Sequence, residues 1–124
     1  MTEKLEIYKC EICGNIVEVV HDGAGVLVCC GKPMILQEAN SVDAAKEKHV
    51  PVLKEVEEGV EITVGSVEHP MTEEHYIEWV EIQTENGNSR KYLSPEQEPK
   101  VFFPVKNKVL NVRAYCNLHG LWKN

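Results

Sequence analysis

The residues of this chain best suited to chemistry are its five cysteines and five histidines, and they are distributed unevenly. Four cysteines lie within the first thirty residues, whereas the fifth cysteine and four of the five histidines lie beyond residue 48. Thiolates and imidazoles are common protein ligands of zinc and of transition metals. Because an all-sulfur group is softer than a nitrogen-rich one, the distribution predicts two different metal sites.

The first group consists of two cysteine pairs, one at Cys10 and Cys13 and the other at the adjacent residues Cys29 and Cys30. A Cys-x-x-Cys turn aims both sulfurs at one point, and the glycine that follows, Gly14, can adopt a positive φ. Adjacent cysteines reach one metal only where the backbone bends sharply, because neighbouring side chains of a strand point in opposite directions. Four sulfurs in a tetrahedral arrangement suit both iron and zinc, so the spacing leaves the metal open.

The second group combines the four later histidines with the remaining cysteine: His49, His69, His75, Cys116 and His119. Taken singly, each histidine fits an ordinary surface or core position, but four histidines and the one remaining cysteine together indicate a metal site. Five ligands exceed the four of a closed zinc site and suit an octahedral metal with one position open for a substrate. One thiolate leaves a ferrous centre with a single positive charge and donates electron density toward that position. The group predicts a centre that gives one electron to a small oxygen species.

The remaining histidine, His21, lies beside a turn and has no partner pattern near it. We predict that it is exposed and binds no metal.

Composition limits the class of protein. The chain has 124 residues, of which 43% are hydrophobic and 27% charged, and this balance suits one domain or two small ones. A net charge of −7 disfavours a nucleic-acid or anionic-membrane surface. No apolar run approaches the roughly 20 residues of a membrane helix, and the first residues lack the apolar stretch of a signal peptide, so we expect a cytoplasmic protein. In that reducing compartment metal binding is favoured over disulfides, including a vicinal one at Cys29 and Cys30.

Two parts of the chain must position these groups. Residues 1–37 contain short apolar runs separated by turns, and a unit of this size buries too little apolar surface to fold without a metal. Residues 37–48 favour a turn or two of helix. From residue 50 onward, alternating and β-branched segments predict a small antiparallel β-sandwich. In its last long strand four residues share one face, which places the final sulfur near the core: Leu110, Val112, Ala114 and Cys116.

The complete pattern resembles the desulfoferrodoxin family, the two-iron form of superoxide reductase, over the whole chain. Three separated motifs carry the resemblance: Glu-Lys-His-Val-Pro at 47–51, His-Pro-Met with a second histidine at 69–75, and Cys-Asn-Leu-His-Gly at 116–120. The adjacent pair Cys29-Cys30 resembles the corresponding pair of desulforedoxin.

The resemblance implies an all-β chain of two domains. A small metal-stapled, desulforedoxin-like domain with a rubredoxin-type iron would span residues 1–37, and the catalytic immunoglobulin-like antiparallel β-sandwich would span residues 38–124. Two iron ions per chain are implied. The first would be held by the four early cysteines: Cys10, Cys13, Cys29 and Cys30. The second would be held by four equatorial histidines and one axial cysteine: His49, His69, His75, His119 and Cys116.

The implied reaction is the one-electron reduction of superoxide to hydrogen peroxide, without evolution of oxygen. Lys48 would attract superoxide and help to protonate the product, and Glu47 would be the carboxylate that can occupy the open position of the ferric ion. The charge balance supports part of this, because a chain of net charge −7 repels superoxide and Lys48 beside His49 supplies a local positive patch. A rubredoxin-type protein would return the electron, and a homodimer is expected.

The residues themselves leave two alternatives to an enzyme. One is a non-catalytic electron carrier that depends on the four-sulfur site alone. The other is a binding module in which zinc has only a structural role.

Overall fold

The structure, a computed structural model, describes residues 1–40 and 46–124, and the chain divides into two compact units, Met1–Glu38 and Ala39–Asn124. The helix expected within residues 37–48 is a single turn, α1 (Lys46–His49), and residues 41–45 lie outside the described part of the chain. Among the residues described, no helix is long and apolar enough to cross a membrane.

The first unit, all of whose residues are described, contains five strands of two or three residues each: β1 (Ile7–Lys9), β2 (Ile16–Glu18), β3 (Val28–Cys29), β4 (Lys32–Pro33) and β5 (Ile35–Gln37). β1 lies between β2 and β5 in one antiparallel sheet, and β3 pairs with β4 in a second. The core of this unit is small. Ile7, Cys10 and Val19 are buried, whereas Val20 and Val26 remain 79% and 68% exposed. Burial of apolar side chains is therefore a weak source of stability here.

The described part of the second unit contains seven strands: β6 (Pro51–Val56), β7 (Gly59–Val64), β8 (Ile77–Thr84), β9 (Gly87–Tyr92), β10 (Lys100–Phe103), β11 (Val109–Cys116) and β12 (Gly120–Lys123). They form two antiparallel sheets with the strand orders β10-β7-β6 and β12-β11-β8-β9. Alternate residues of the two sheets meet in one apolar core, to which Ile62 of β7 and Ile82 of β8 belong. The predicted β-sandwich is confirmed.

The long strand β11 carries the last cysteine into this core. Val112, Ala114 and Cys116 are fully buried, as the alternation predicted. The prediction was wrong for Leu110, which is 51% exposed. The pairing of β11 with β8 shifts register between Val109 and Asn111, and this irregularity interrupts the alternation of side chains before it reaches Leu110.

Candidate metal centres

The first unit brings four sulfur atoms together. Those of Cys10, Cys13, Cys29 and Cys30 all lie within 4.8 Å of one another. The Sγ atoms of Cys13 and Cys29 are 3.6 Å apart, and those of the adjacent residues Cys29 and Cys30 are 4.0 Å apart. All four are free thiols, so the alternative of a vicinal disulfide is not realised in this structure.

Local backbone turns aim these sulfurs at one point. Gly14 has a φ of 85°, and its N–H donates to the carbonyl oxygen of Cys10 at 2.9 Å. At the second pair Cys30 has a φ of 53° and Gly31 one of 76°, which is the sharp bend that adjacent ligands require. Cys10 is buried, whereas Cys13 and Cys30 are exposed, so the group opens to the surface of its unit.

The sulfur atoms strongly affect each other's ionisation. The backbone N–H of Cys13 donates to Sγ of Cys10 at 3.5 Å, and this hydrogen bond is the largest cause that lowers the pKa of Cys10 to about 6. Interaction with the Cys13 thiol, followed by that with Cys10, raises the pKa of Cys30 to about 12. Four thiolates this close repel one another, and a cation among them removes the repulsion as the protons leave. The group therefore fits a metal ion.

The second unit brings together the other five donors, whose ligating atoms also all lie within 4.8 Å of one another: His49, His69, His75, Cys116 and His119. Nε2 of His49 lies 3.1 Å from Nδ1 of His119, and Sγ of Cys116 lies 3.8 Å from the same Nδ1. His21 is exposed, as predicted, and belongs to neither of the two groups found among the described residues.

Three separate segments deliver these donors. His49 ends α1, and His69 and His75 lie on the connection between β7 and β8. Cys116 ends β11, and His119 lies in the turn between β11 and β12. The site therefore depends on the sandwich, which holds together residues far apart in sequence.

Two imidazoles of this group have buried ring nitrogens that need a partner. Nε2 of His69 and Nε2 of His75 are among the described buried polar atoms without a hydrogen bond. Nδ1 of His69 lies 2.7 Å from the carbonyl oxygen of Pro70, so Nδ1 carries the proton and Nε2 presents a lone pair. Because a buried polar atom without a partner costs free energy, a metal ion at this point supplies a missing interaction. The donor set fits a bound metal.

Burial changes the ionisation of three members of the group. It lowers the pKa of His69 to about 4, and it is the largest cause of the lowered pKa of His75. These imidazoles are therefore neutral at pH 7, ready to receive a cation without first losing a proton. Burial raises the pKa of Cys116, opposed by backbone N–H groups of His119 and Leu118 that favour its thiolate.

The two residues expected to act on the substrate lie on α1. Lys48 is exposed, and its positive charge is a further, smaller cause of the lowered pKa of His75, so its field reaches this imidazole. The side chain of Glu47 lies outside the described part of the chain.

One residue that sequence reasoning missed joins two of the ligand-bearing segments. Asn117 accepts a hydrogen bond from the N–H of Tyr76 at 2.9 Å and donates one to the carbonyl oxygen of Glu74 at 3.0 Å. Its side chain thus holds the backbone on both sides of His75 against the turn that follows Cys116 and bears His119. Its place between two predicted ligands was the only signal in the sequence.

Comparison with known proteins agrees with both groups. Residues 2–36 match the family model described as the N-terminal domain of desulfoferrodoxin, and residues 41–124 match that of desulfoferrodoxin itself. A desulfoferrodoxin of Syntrophotalea carbinolica is 58% identical over 100% of this chain and 98% of its own length. A desulfoferrodoxin homolog of Archaeoglobus fulgidus is 54% identical over 100% of this chain and 99% of its own. The solved superoxide reductase of Treponema pallidum is 31% identical, covers 100% of this chain and 99% of its own, and superposes with a TM-score of 0.80.

Proposed function

The chain belongs to the desulfoferrodoxin family, and we propose that it is a superoxide reductase, an enzyme that reduces superoxide to hydrogen peroxide at a histidine-bound iron. One observation carries this conclusion: four imidazole nitrogens and one thiol sulfur converge within 4.8 Å of one another, on a fold shared with a superoxide reductase. Five protein donors are one too many for a closed zinc site and leave room for a substrate on a six-coordinate metal.

Both groups fit iron, giving two iron ions per chain. In this proposal the first ion, in a domain at residues 1–37, is held by sulfur atoms alone: those of Cys10, Cys13, Cys29 and Cys30. The second, in a catalytic domain at residues 38–124, is held by four nitrogens and one sulfur: those of His49, His69, His75, His119 and Cys116. When bound, a ferrous ion at the second site supplies the one electron that, with two protons, converts superoxide to hydrogen peroxide.

The protein groups around the second site control its charge. Neutral imidazoles add no charge, so the Cys116 thiolate alone reduces the two positive charges of a ferrous ion to one. The N–H groups of His119 and Leu118 stabilise that thiolate, which is otherwise disfavoured by burial. The remaining positive charge would attract an anionic substrate, and one bound anion would cancel that charge, so that a second anion would no longer be attracted.

Lys48 is the residue we assign to substrate attraction. Superoxide is an anion and the chain has a net charge of −7, so long-range electrostatics oppose the encounter. At distances below the Debye length of about 8–10 Å, an exposed ammonium group next to a ligand outweighs more distant carboxylates. Lys48 also holds protons at Nζ for the product, and Glu47 is proposed as the carboxylate that takes the open position when superoxide is absent.

An electron donor, a partner chain and a location complete the proposal. We propose a rubredoxin-type donor, for which the exposed sulfurs of Cys13 and Cys30 offer an accessible redox group. We further propose a homodimer in the cytoplasm, and both proposals depend on the family resemblance.

The function is tested with purified iron-loaded protein, a reducing system and a calibrated flux of superoxide. We expect one peroxide for each superoxide consumed, and no oxygen. A dismutase instead forms one oxygen for every two superoxide ions, so stoichiometric oxygen would contradict the proposal.

The electron-carrier alternative makes a different prediction for His75→Ala. We expect this variant to keep its four-sulfur iron and to lose the rapid oxidation by superoxide. His21→Ala is the matched control, because His21 is exposed and lies outside both groups. If His75→Ala is oxidised as rapidly as His21→Ala, the reactive metal is the four-sulfur one and the chain is an electron carrier.

A further inference from the structure

Trp122 contacts two of the proposed iron ligands at once. It lies on β12 and is 2% exposed. Its indole stacks on the imidazole of His49, with ring centroids 4.6 Å apart and planes inclined by 17°. Its Nε1–H donates to the backbone carbonyl oxygen of His119 at 3.2 Å.

His49 needs such a neighbour because its own element is short. α1 has four residues, a single turn that does not itself fix the plane of a terminal side chain. The His49 ring lies edge-to-face with His69 and His119, at centroid distances of 4.7 and 4.8 Å. Rotation of this ring would turn Nε2 away from the other donors, and the stacked indole resists that rotation.

Trp122 is itself held firmly on both sides. It pairs with Ala114 of β11, two residues before Cys116 in the chain. On its other side Asn40 forms a parallel bridge with Trp122, in which the N–H of Asn40 donates to Leu121 and the N–H of Lys123 donates to Asn40, at 2.9 and 3.0 Å. The backbone of Trp122 is therefore held from both sides, and burial together with the Nε1–H hydrogen bond restrains the indole itself.

From these contacts we propose that Trp122 is a positioning residue of the histidine-rich iron site. Its ring fixes the plane of His49 by stacking, and its N–H fixes the turn that bears His119. The proposal rests on the proposed iron site, but its test uses no superoxide, so its failure is distinguishable from failure of the reductase assignment.

The second tryptophan of the chain provides a matched control. Trp79 is 6% exposed and lies in the same unit. It stacks on Tyr115, with centroids 5.9 Å apart, and the guanidinium of Arg90 lies 4.6 Å from its ring centroid. Among the described ring pairs and hydrogen bonds, none joins the Trp79 ring to a histidine or a cysteine, so Trp79→Leu perturbs the sandwich without removing such an interaction with a proposed ligand.

The experiment compares Trp122→Leu and Trp79→Leu in the reduced, iron-loaded protein. Release of ferrous iron is followed by the absorption of its coloured chelate, and reoxidation at the end of each run shows by the ferric spectra which of the two sites has lost its iron, with the four-sulfur iron as the internal reference. Because loss of a residue that orients a ligand costs about 10–100-fold in metal affinity, we expect Trp122→Leu to accelerate release of the histidine-bound iron by that factor. We expect Trp79→Leu to leave the rate of release of the histidine-bound iron unchanged. The two variants are compared under conditions in which their free energies of unfolding are equal. Equal release from the two variants would overturn the proposal.

A milder pair keeps the test decisive if Trp122→Leu does not fold. Trp122→Phe preserves a stacking ring and removes only the N–H donor, so we expect it to retain most of the iron affinity. Release of the His119 turn should nevertheless shift the electron paramagnetic resonance spectrum of the ferric site, whereas Trp79→Phe leaves that spectrum unchanged. Identical spectra for the two variants, or an iron affinity of Trp122→Phe that is about 10–100-fold below that of Trp79→Phe, would also overturn it.

Discussion

The two groups of metal-binding residues lie in units that differ in the size of their apolar cores. The four sulfurs belong to a unit whose strands have two or three residues and whose valines at positions 20 and 26 are largely exposed. The five other donors sit at one end of a sandwich with a continuous apolar core, to which Cys116 itself belongs. His49 and His69 are 2% and 3% exposed, so the second unit buries these two ligands among its own residues.

This difference indicates two relations between metal and fold. In the first unit the metal replaces a core, and its binding free energy is the main source of folding free energy. In the second unit a continuous apolar core supports the segments that carry the donors, so the fold does not depend on the metal in the same way. A preorganised site keeps its geometry while its metal changes oxidation state, as a redox enzyme requires.

The largest expected effect follows from removing the metal of the first unit alone. Cys13→Ser should lose the four-sulfur iron, and iron per chain should fall from two to one. Amide hydrogen exchange should then show loss of protection within residues 1–38 and unchanged protection within residues 46–124, because only the first unit depends on its metal. Structural metals contribute about 10–16 kcal/mol in the smallest such domains, enough to unfold this unit outright.

Two results of this experiment would contradict the proposed difference between the units. Retained protection in the first unit would show that its small core suffices without metal. Loss of protection in both units would show that the sandwich has no independent stability.

The next effect tests the core of the second unit. Ile62 is fully buried between the two sheets, so Ile62→Ala should lower the free energy of unfolding of this unit by about 2–5 kcal/mol. Leu110→Ala is the control, and because Leu110 is 51% exposed its substitution should change stability by less than about 0.5 kcal/mol. Urea denaturation measures both. Equal losses for Ile62→Ala and Leu110→Ala would contradict the described core.

The failed prediction for Leu110 shows how far sequence reasoning reached in this unit. Alternation correctly placed Val112, Ala114 and Cys116 toward the core, although the pairing with β8 shifts register a second time between Tyr115 and Cys116. A register shift depends on the partner strand, so β11 alone did not reveal it. The five donors of the second site were recognised by their residue types, and their convergence required the folded sandwich.

A smaller effect is expected from the link between ligand-bearing segments. Asn117→Ala removes hydrogen bonds to the backbone on both sides of His75, and its cost should be about 1–3 kcal/mol. Asn117→Asp keeps the acceptor for Tyr76 and loses only the donor to Glu74, so it should retain part of this stability. Iron affinity of the second site, titrated against a chelator, should follow the same order. An unchanged iron affinity of the four-sulfur site would support the difference between the two sites. An equal loss of iron affinity at both sites would contradict it.

The contribution of Asn117, like that of Trp122, was not predictable from the sequence. Asn117 contacts Tyr76, which lies about 40 positions earlier in the chain. Trp122 contacts His49, which lies about 70 positions earlier. No local periodicity encodes such contacts. By contrast, the bend at Cys29 and Cys30 was predictable, since two adjacent ligands of one metal demand it.

The smallest effect concerns rate rather than stability. Lys48→Ala should slow the second-order reaction with superoxide several-fold and weaken its dependence on ionic strength, because the local positive charge is lost. Lys54→Ala, which removes an exposed lysine of β6, should change neither quantity. Stopped-flow or pulse-radiolysis rates at several salt concentrations provide the measurement. Equal rates for the two variants would assign Lys48 no role in attracting the substrate.

The most direct test of the whole account asks which iron meets superoxide. Fully reduced protein is mixed with less than one equivalent of superoxide, and the two centres are followed separately by their optical spectra within the first turnover. We predict that the iron of the histidine-rich site is oxidised while the four-sulfur iron is still reduced. Oxidation of the four-sulfur iron first, with the histidine-rich site unchanged, would contradict the account.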